Sequence, residues 1–243
     1  QLVALTTFSE LVQLTSERVY RDAIIAGLPE DNRLSEGGAG ASAYADAVAL
    51  YLAFALDKGA NYWSSLCAWH QSRDGIVSTF GRQAVSMVWD FAEANVFSES
   101  SGNIMLGVEQ AVKMITNLGL HSAGTALQAD AGTQDISVNK VVSTDPPYYD
   151  NVPYADLSDF FYAWLRPTVK SSFPDLFGTM AVPKSEELVA FPYRHGSKLE
   201  AEVFFLEGMT KAMHRLAEQA HHGYPVTIYY AFKQAETEIS GTS

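Results

Sequence analysis

The stretch Val141-Val142-Ser143-Thr144-Asp145-Pro146-Pro147-Tyr148-Tyr149-Asp150 constrains this chain more than any other. Its first four residues are small or β-branched and read as a short buried strand. Two prolines then follow in succession. Each fixes its own φ and pushes the residue before it out of the α region, so the strand must end in a stiff turn. The Asp145 carboxylate and the Tyr148 ring are thereby held at the carboxyl end of a strand, the edge where open α/β sheets bind ligands.

The rest of the chain supplies helices first and strands later. A capping box, Thr7 with Glu10, opens a helix whose apolar spacing runs to Gly27-Leu28-Pro29. Residues 30–42 read as a flexible glycine-rich connector. They follow no strand and lack the spacing of a phosphate loop. Ser42 is expected to cap a long apolar helix reaching Trp69. After the Ser72–Gly75 turn comes an extended piece, Ile76 to Phe80, and then a helix from Arg82 to Ala94 with Met87, Val88, Phe91 and Ala92 as its apolar stripe. Asn103 opens a further helix that closes at Gly119. From residue 125 the pattern alternates: strands at Thr125–Asp130, Val138–Thr144 and Pro225–Lys233, with a helix capped by Ser197 and Glu200 running to His221. The expected fold class is α/β: a mainly helical region (1–122), then part of a doubly wound parallel sheet (123–243).

A rigid acid-proline-proline-aromatic turn suits a weakly nucleophilic exocyclic amino group. In adenine the amino lone pair is delocalised into the ring. A fixed carboxylate and a backbone carbonyl can accept its two hydrogens while an aromatic face stacks on the base. The base must leave its duplex to reach such a site.

Asp145-Pro146-Pro147-Tyr148 is the catalytic motif of amino-methylating, S-adenosylmethionine-dependent DNA methyltransferases. The longer run DPPYYDNVPYADLSDFFYAWLR resembles one subgroup, the large adenine-specific DNA methylases, many of which carry a Zn-ribbon. The resemblance also covers ALTTFSELV, YADAVALYLAFALDK, RQAVSMVWDFAEAN, VPKSEELVAFPYRHG and YPVTIYYAFKQAET, and so runs along nearly the whole chain. It implies methyl transfer from S-adenosylmethionine to N6 of an adenine flipped out of DNA. Asp145 and the Pro146 carbonyl would orient the amino group, Pro147 would lock the turn and Tyr148 would stack on the base. Tyr149, Asn151 and Tyr154 would line the substrate pocket. Asp130, Thr144 and Lys233 would face the cofactor, Asp130 towards its adenine, with Gln234 beside Lys233. The glycine-rich turn that holds the cofactor's methionine part is missing, since Gly119, Gly124 and Gly132 are isolated. The resemblance places that turn upstream of residue 1. The expectation is therefore an internal piece of a longer enzyme, inactive or very weak alone, with an exposed sheet edge inviting the rest of the protein or a partner chain. Two other readings stand beside it: a non-catalytic methyltransferase-like subunit, and an amino-methyltransferase acting on RNA or protein.

Charge and composition limit the alternatives. The net charge is −12 and both halves are acidic, whereas proteins that bind duplex DNA usually carry a basic footprint. Arg166, Lys170, Lys184, Arg194, His195 and Lys198 form a locally basic interval that could meet phosphates or simply face solvent. The single cysteine, Cys67, excludes a Zn-ribbon within this chain and reads as a core residue, and the six histidines show no metal-ligand spacing. The longest apolar run, Ala43 to Leu56, contains Asp46 and is too short to span a bilayer. With no signal pattern at the start, the expected location is cytoplasmic. Most aromatics between Asn151 and Arg166 recur at helical spacing and are expected in a core.

Overall fold

A computed structural model describes residues 1–85, 87–100, 102–118 and 124–230. The chain is mixed α/β and mainly helical, and it divides into two compact units. One comprises residues 1–125 and 155–182, the other 126–154 and 183–243. The division opens at residue 125, close to the composition break, but 155–182 returns to the first unit.

The first unit is built on α1 (Leu2–Ile25) packed along α2 (Ala41–Ala60). Thr7 lies inside α1, not at its cap, and the helix begins beside Gln1 with no side-chain cap. Its end is as expected: Gly27 takes φ +92°, Gly27 N–H donates to the Ile24 carbonyl and Leu28 N–H to that of Ala23. This closes the helix with a Schellman motif. On α2, buried alanines at 41, 45, 49, 53 and 60 make a thin face that admits a neighbouring helix closely. Leu5, Leu56, Ala60 and Trp63 form the buried core, flanked by Phe8, Ile104, Phe160 and Trp164. Leu5 and Leu56 are almost wholly buried, worth roughly 1.5–3 kcal/mol each. The aromatics of α4 (Tyr154–Val169) do serve the core as expected: Phe160 and Phe161 both meet Phe80, at 5.2 and 5.3 Å between ring centroids.

Three sequence expectations change here. The helix expected to reach Trp69 stops at Ala60. Asn61 halts it, because its carbonyl accepts from the Thr79 amide and hydroxyl and its side chain accepts from the Phe80 amide. Trp69–His70 (β1) instead pairs antiparallel with Gly75–Ile76 (β2), around Asp74 at φ +44°. No helix forms over the described residues of 82–94. Ala92 N–H donates to the Cys67 carbonyl in place of a helical ladder, and Met87, Trp89 and Phe91 are more than half exposed. The loop at 30–40 is pinned, not a loose connector. The Asp31 carboxylate accepts from the amides of Asn32 and Ala39, and a short 3₁₀ turn spans Leu34–Glu36. Gly38 is required there, since an added Cβ would lie 1.9 Å from the Asn32 carbonyl oxygen. Gly38→Ala is expected to destabilise the unit by about 1–3 kcal/mol through overpacking, read as a lowered urea midpoint. An unchanged midpoint would show that the loop yields freely.

Helix α3 (Ile104–Asn117) opens as expected on Asn103, whose side chain accepts from Leu106 N–H at 2.7 Å. It crosses α2 closely because Gly107 sits against Ala55. Cys67 is fully buried, with its thiol against the Asn61 carbonyl and Thr79.

In the second unit, β3 (Ser143–Thr144) pairs in parallel with β4 (Thr227–Ile228), with Ser143 opposite Thr227 and Thr144 opposite Ile228. The expected strand at 125–130 is absent. Residues 124–130 are exposed and make no ladder, so nothing holds them extended. The motif strand is shorter than expected because Asn139, at φ +55°, turns the chain, and Asn139 and Lys140 bond to Gln219 and His221. A short helix, α5 (Pro192–His195), leads to α6 (Lys198–Gln219), which Ser197 caps by accepting from Glu200 N–H as expected. Ala190, Ala201 and Phe205 form this unit's small core, with Tyr149 and Met209 against it. The described residues of this unit thus give a two-stranded parallel pair.

No helix among the described residues is long and apolar enough to cross a membrane, and none of their His, Cys, Asp and Glu side chains cluster as a metal site.

Candidate active site

The turn after β3 is rigid for the reasons its sequence gives, and further bonds tie it down. Thr144, half-buried, offers its carbonyl to Tyr229 N–H at 2.8 Å, which anchors the strand end. Pro146 is buried and Asp145 is exposed. Asn151, half-buried, closes the turn by donating its amide to the Tyr148 carbonyl at 2.9 Å. Tyr149 adopts φ +49°, and its carbonyl accepts from Ala190 N–H at 3.0 Å. Its ring meets Phe205 edge-on at 5.1 Å, so Tyr149 is at once a turn residue and part of the core.

The phenol of Tyr148 donates to Asp145 Oδ1 at 2.6 Å. That bond to a carboxylate, then partial burial, holds the Tyr148 phenol above its ordinary pKa. Burial also raises Tyr154, the first residue of α4, followed by the negative charges of Asp145 and Glu187. Burial does the same for Tyr149, with Glu202 and Asp150 adding to it. Tyr148 and Tyr154 thus lie beside the exposed Asp145 carboxylate, which helps to raise both, and Tyr230 meets the Tyr148 ring edge-on at 5.6 Å. Among the described residues, Asp145 has no cationic partner and the Pro146 carbonyl accepts no hydrogen bond. The turn thus presents an exposed acceptor, Asp145 Oδ2, and, in buried Pro146, a carbonyl with no partner among the described residues, beside an aromatic ring. That combination accepts a group with two hydrogens carried on a flat ring.

The residues assigned to the cofactor are arranged differently. Asp130 is exposed and spends its carboxylate on its own turn: Oδ1 accepts from Gly132 N–H at 2.8 Å and Oδ2 from the Thr133 hydroxyl at 3.1 Å. Lys233 and Gln234 lie outside the described residues. Thr144 is committed to the strand ladder through its carbonyl. Of the residues assigned to the cofactor, Asp130 thus has both carboxylate oxygens taken up by its own turn.

The basic interval does not form one solvated face. Arg166 donates to the Thr179 carbonyl, Arg194 pairs with Glu187 at 2.5 Å with both side chains largely buried, and the His195 ring stacks on Phe204 at 4.2 Å. One constellation was missed from sequence. Asp46 on α2, 1% exposed, receives the Arg33 guanidinium at two oxygens. The available signal was an acid inside an apolar helical run, which demands a partner. Burial pushes the Asp46 carboxyl up, but the Arg33 fork, the Ser172 hydroxyl and the Leu34 amide outweigh it and hold it below the usual range.

No family model, curated protein or solved structure matches this chain.

Proposed function

We propose that the Asp145-Pro146-Pro147-Tyr148 turn receives the exocyclic amino group of an unpaired adenine, in an adenine-N6 DNA methyltransferase that uses S-adenosylmethionine. The observation that carries this reading is the pair of unpartnered acceptors, the exposed Asp145 Oδ2 and the carbonyl of buried Pro146, beside the Tyr148 ring among the described residues. Accepting both amino hydrogens at fixed positions draws the nitrogen towards a tetrahedral, nucleophilic geometry. The two prolines matter because the acceptors must not relax as the base enters. Tyr148 gives up its bond to Asp145 as the base arrives, leaving its ring to stack.

The test is titration of the chain with a short DNA strand bearing one unpaired adenine, and with the same strand bearing purine, which lacks the 6-amino group. A preference of about tenfold or more for adenine is expected, since hydrogen bonds to a charged group are worth about 1.5–3 kcal/mol. Asp145→Ala should erase that preference. Tyr148→Ala should weaken both strands by about 1–3 kcal/mol of lost stacking, while Tyr148→Phe keeps the preference. Equal affinity of the unaltered chain for the two strands would sink the reading. The net charge of −12 opposes DNA and RNA strands alike and favours a second reading, in which the amino group belongs to a protein. A peptide bound more tightly than the DNA strand, with the same dependence on Asp145, would move the substrate there.

A further inference from the structure

A polar cleft of about 650 Å³ opens in the helical unit between α1 and α2. Arg33 lines it together with Asp46 and Ser172, which hold its guanidinium. Nε donates to Asp46 Oδ2 at 2.8 Å, and Nη2 donates to Asp46 Oδ1 at 2.5 Å and to the Ser172 hydroxyl at 3.0 Å. The clamp is itself built: Asp46 is buried and also accepts from Leu34 N–H. A buried carboxylate spent in this way fixes the plane of a guanidinium, and the two groups offset each other's charge, so Arg21 is the lining's further cation. Nη1 of Arg33 has no partner among the described residues, although a clip from loop to helix would need only the other edge. Arg21 lines the same cleft from α1, with no ion pair among the described residues, and the hydroxyls of Ser42 and Ser171 are likewise open.

We propose that this cleft binds the phosphate of a phosphorylated sugar, held by the oriented Arg33 fork and Arg21. Planar guanidinium edges match phosphate oxygens two at a time, and a preoriented fork loses little entropy on binding. Glu17, also in the lining, suits a ligand whose hydroxyl donors lie beside its phosphate, as a sugar phosphate provides. The volume is within the range of small-molecule sites. The inference does not rest on the methyltransferase reading.

Calorimetric titration of the full chain with ribose 5-phosphate, ribose and a thymidine dinucleotide tests it. The phosphate ester should bind saturably and at least tenfold more tightly than ribose. Arg21→Gln touches none of the buried contacts and should weaken it fivefold or more without altering the melting temperature. Arg33→Lys keeps the charge, loses the fork and should also weaken it. Asp145→Ala should leave this binding unchanged, which separates it from the turn. If the dinucleotide binds as tightly as the monoester, the phosphate belongs to a nucleic-acid strand; if only the monoester binds, it belongs to a free sugar phosphate. Ribose 5-phosphate binding no better than ribose, or Arg21→Gln leaving it untouched, would overturn the proposal.

Discussion

Arg33→Met is expected to destabilise the helical unit by about 3–5 kcal/mol, because it leaves a buried carboxylate without its counter-charge. The two partners are not equivalent. The Asp46 side chain is 2% exposed and that of Arg33 is 42% exposed. Removing Asp46 leaves a cation that water reaches, so Asp46→Ala should cost less than Arg33→Met. The variant should also reverse the response to acid. In the natural chain the Asp46 carboxyl titrates below its free value, so its contribution is present above about pH 4 and is lost as pH falls through the folded value. Without Arg33, burial dominates and the folded value rises above the free one. The contribution is then complete below about pH 4 and is lost as pH climbs through the raised value. Urea midpoints at acid and neutral pH check both points. Parallel pH profiles for the variant and the natural chain would refute the assignment of Asp46 as a paired buried charge.

Asp57→Asn should act in the opposite direction and stabilise the chain above neutrality. Burial pushes the Asp57 carboxyl up to about 7, and its Oδ1 is shielded from solvent with no hydrogen-bond partner among the described residues. Between about pH 4 and 7 the folded chain keeps a proton that the unfolded chain has lost, so stability falls as pH rises through that window. Three units at about 1.4 kcal/mol each set a ceiling near 4 kcal/mol. Asp57 is only half-buried, so water reaching it reduces this to about 1–2 kcal/mol. Asparagine cannot ionise and should abolish the slope. The two proteins should melt together below about pH 4 and separate at pH 8, the variant higher. Identical profiles would mean that the carboxyl finds solvent or a partner after all.

Both groups lie on α2, and neither appeared as a site in the sequence. Asp46 stood out only as an acid in an apolar run. Its partners, Arg33 and Ser172, are distant in sequence and have no spacing relation that could have named them. The reverse holds for the Asp145-Pro146-Pro147-Tyr148 turn. Proline stereochemistry set its stiffness and position, and the structure added the Tyr148 bond to Asp145 and a Pro146 carbonyl with no partner among the described residues. Asp130 was read towards a cofactor, whereas its carboxylate meets donors two and three residues ahead, the ordinary habit of aspartate in turns.

By itself the sequence determined what is settled within a few residues: the stop at Gly27, the caps at Asn103 and Ser197, and the stiff turn after Thr144. Caps, prolines and left-handed glycines act on their immediate neighbours, so their effects are local. Only the tertiary structure decided where α2 ends, that 82–94 forms no helix among its described residues, and which polar groups are buried together. Those outcomes depend on distant partners: Thr79 and Phe80 for Asn61, Cys67 for Ala92, and Ser172 for the Arg33–Asp46 pair. A helical pattern continues only while its own hydrogen bonds outcompete those that folding brings to it.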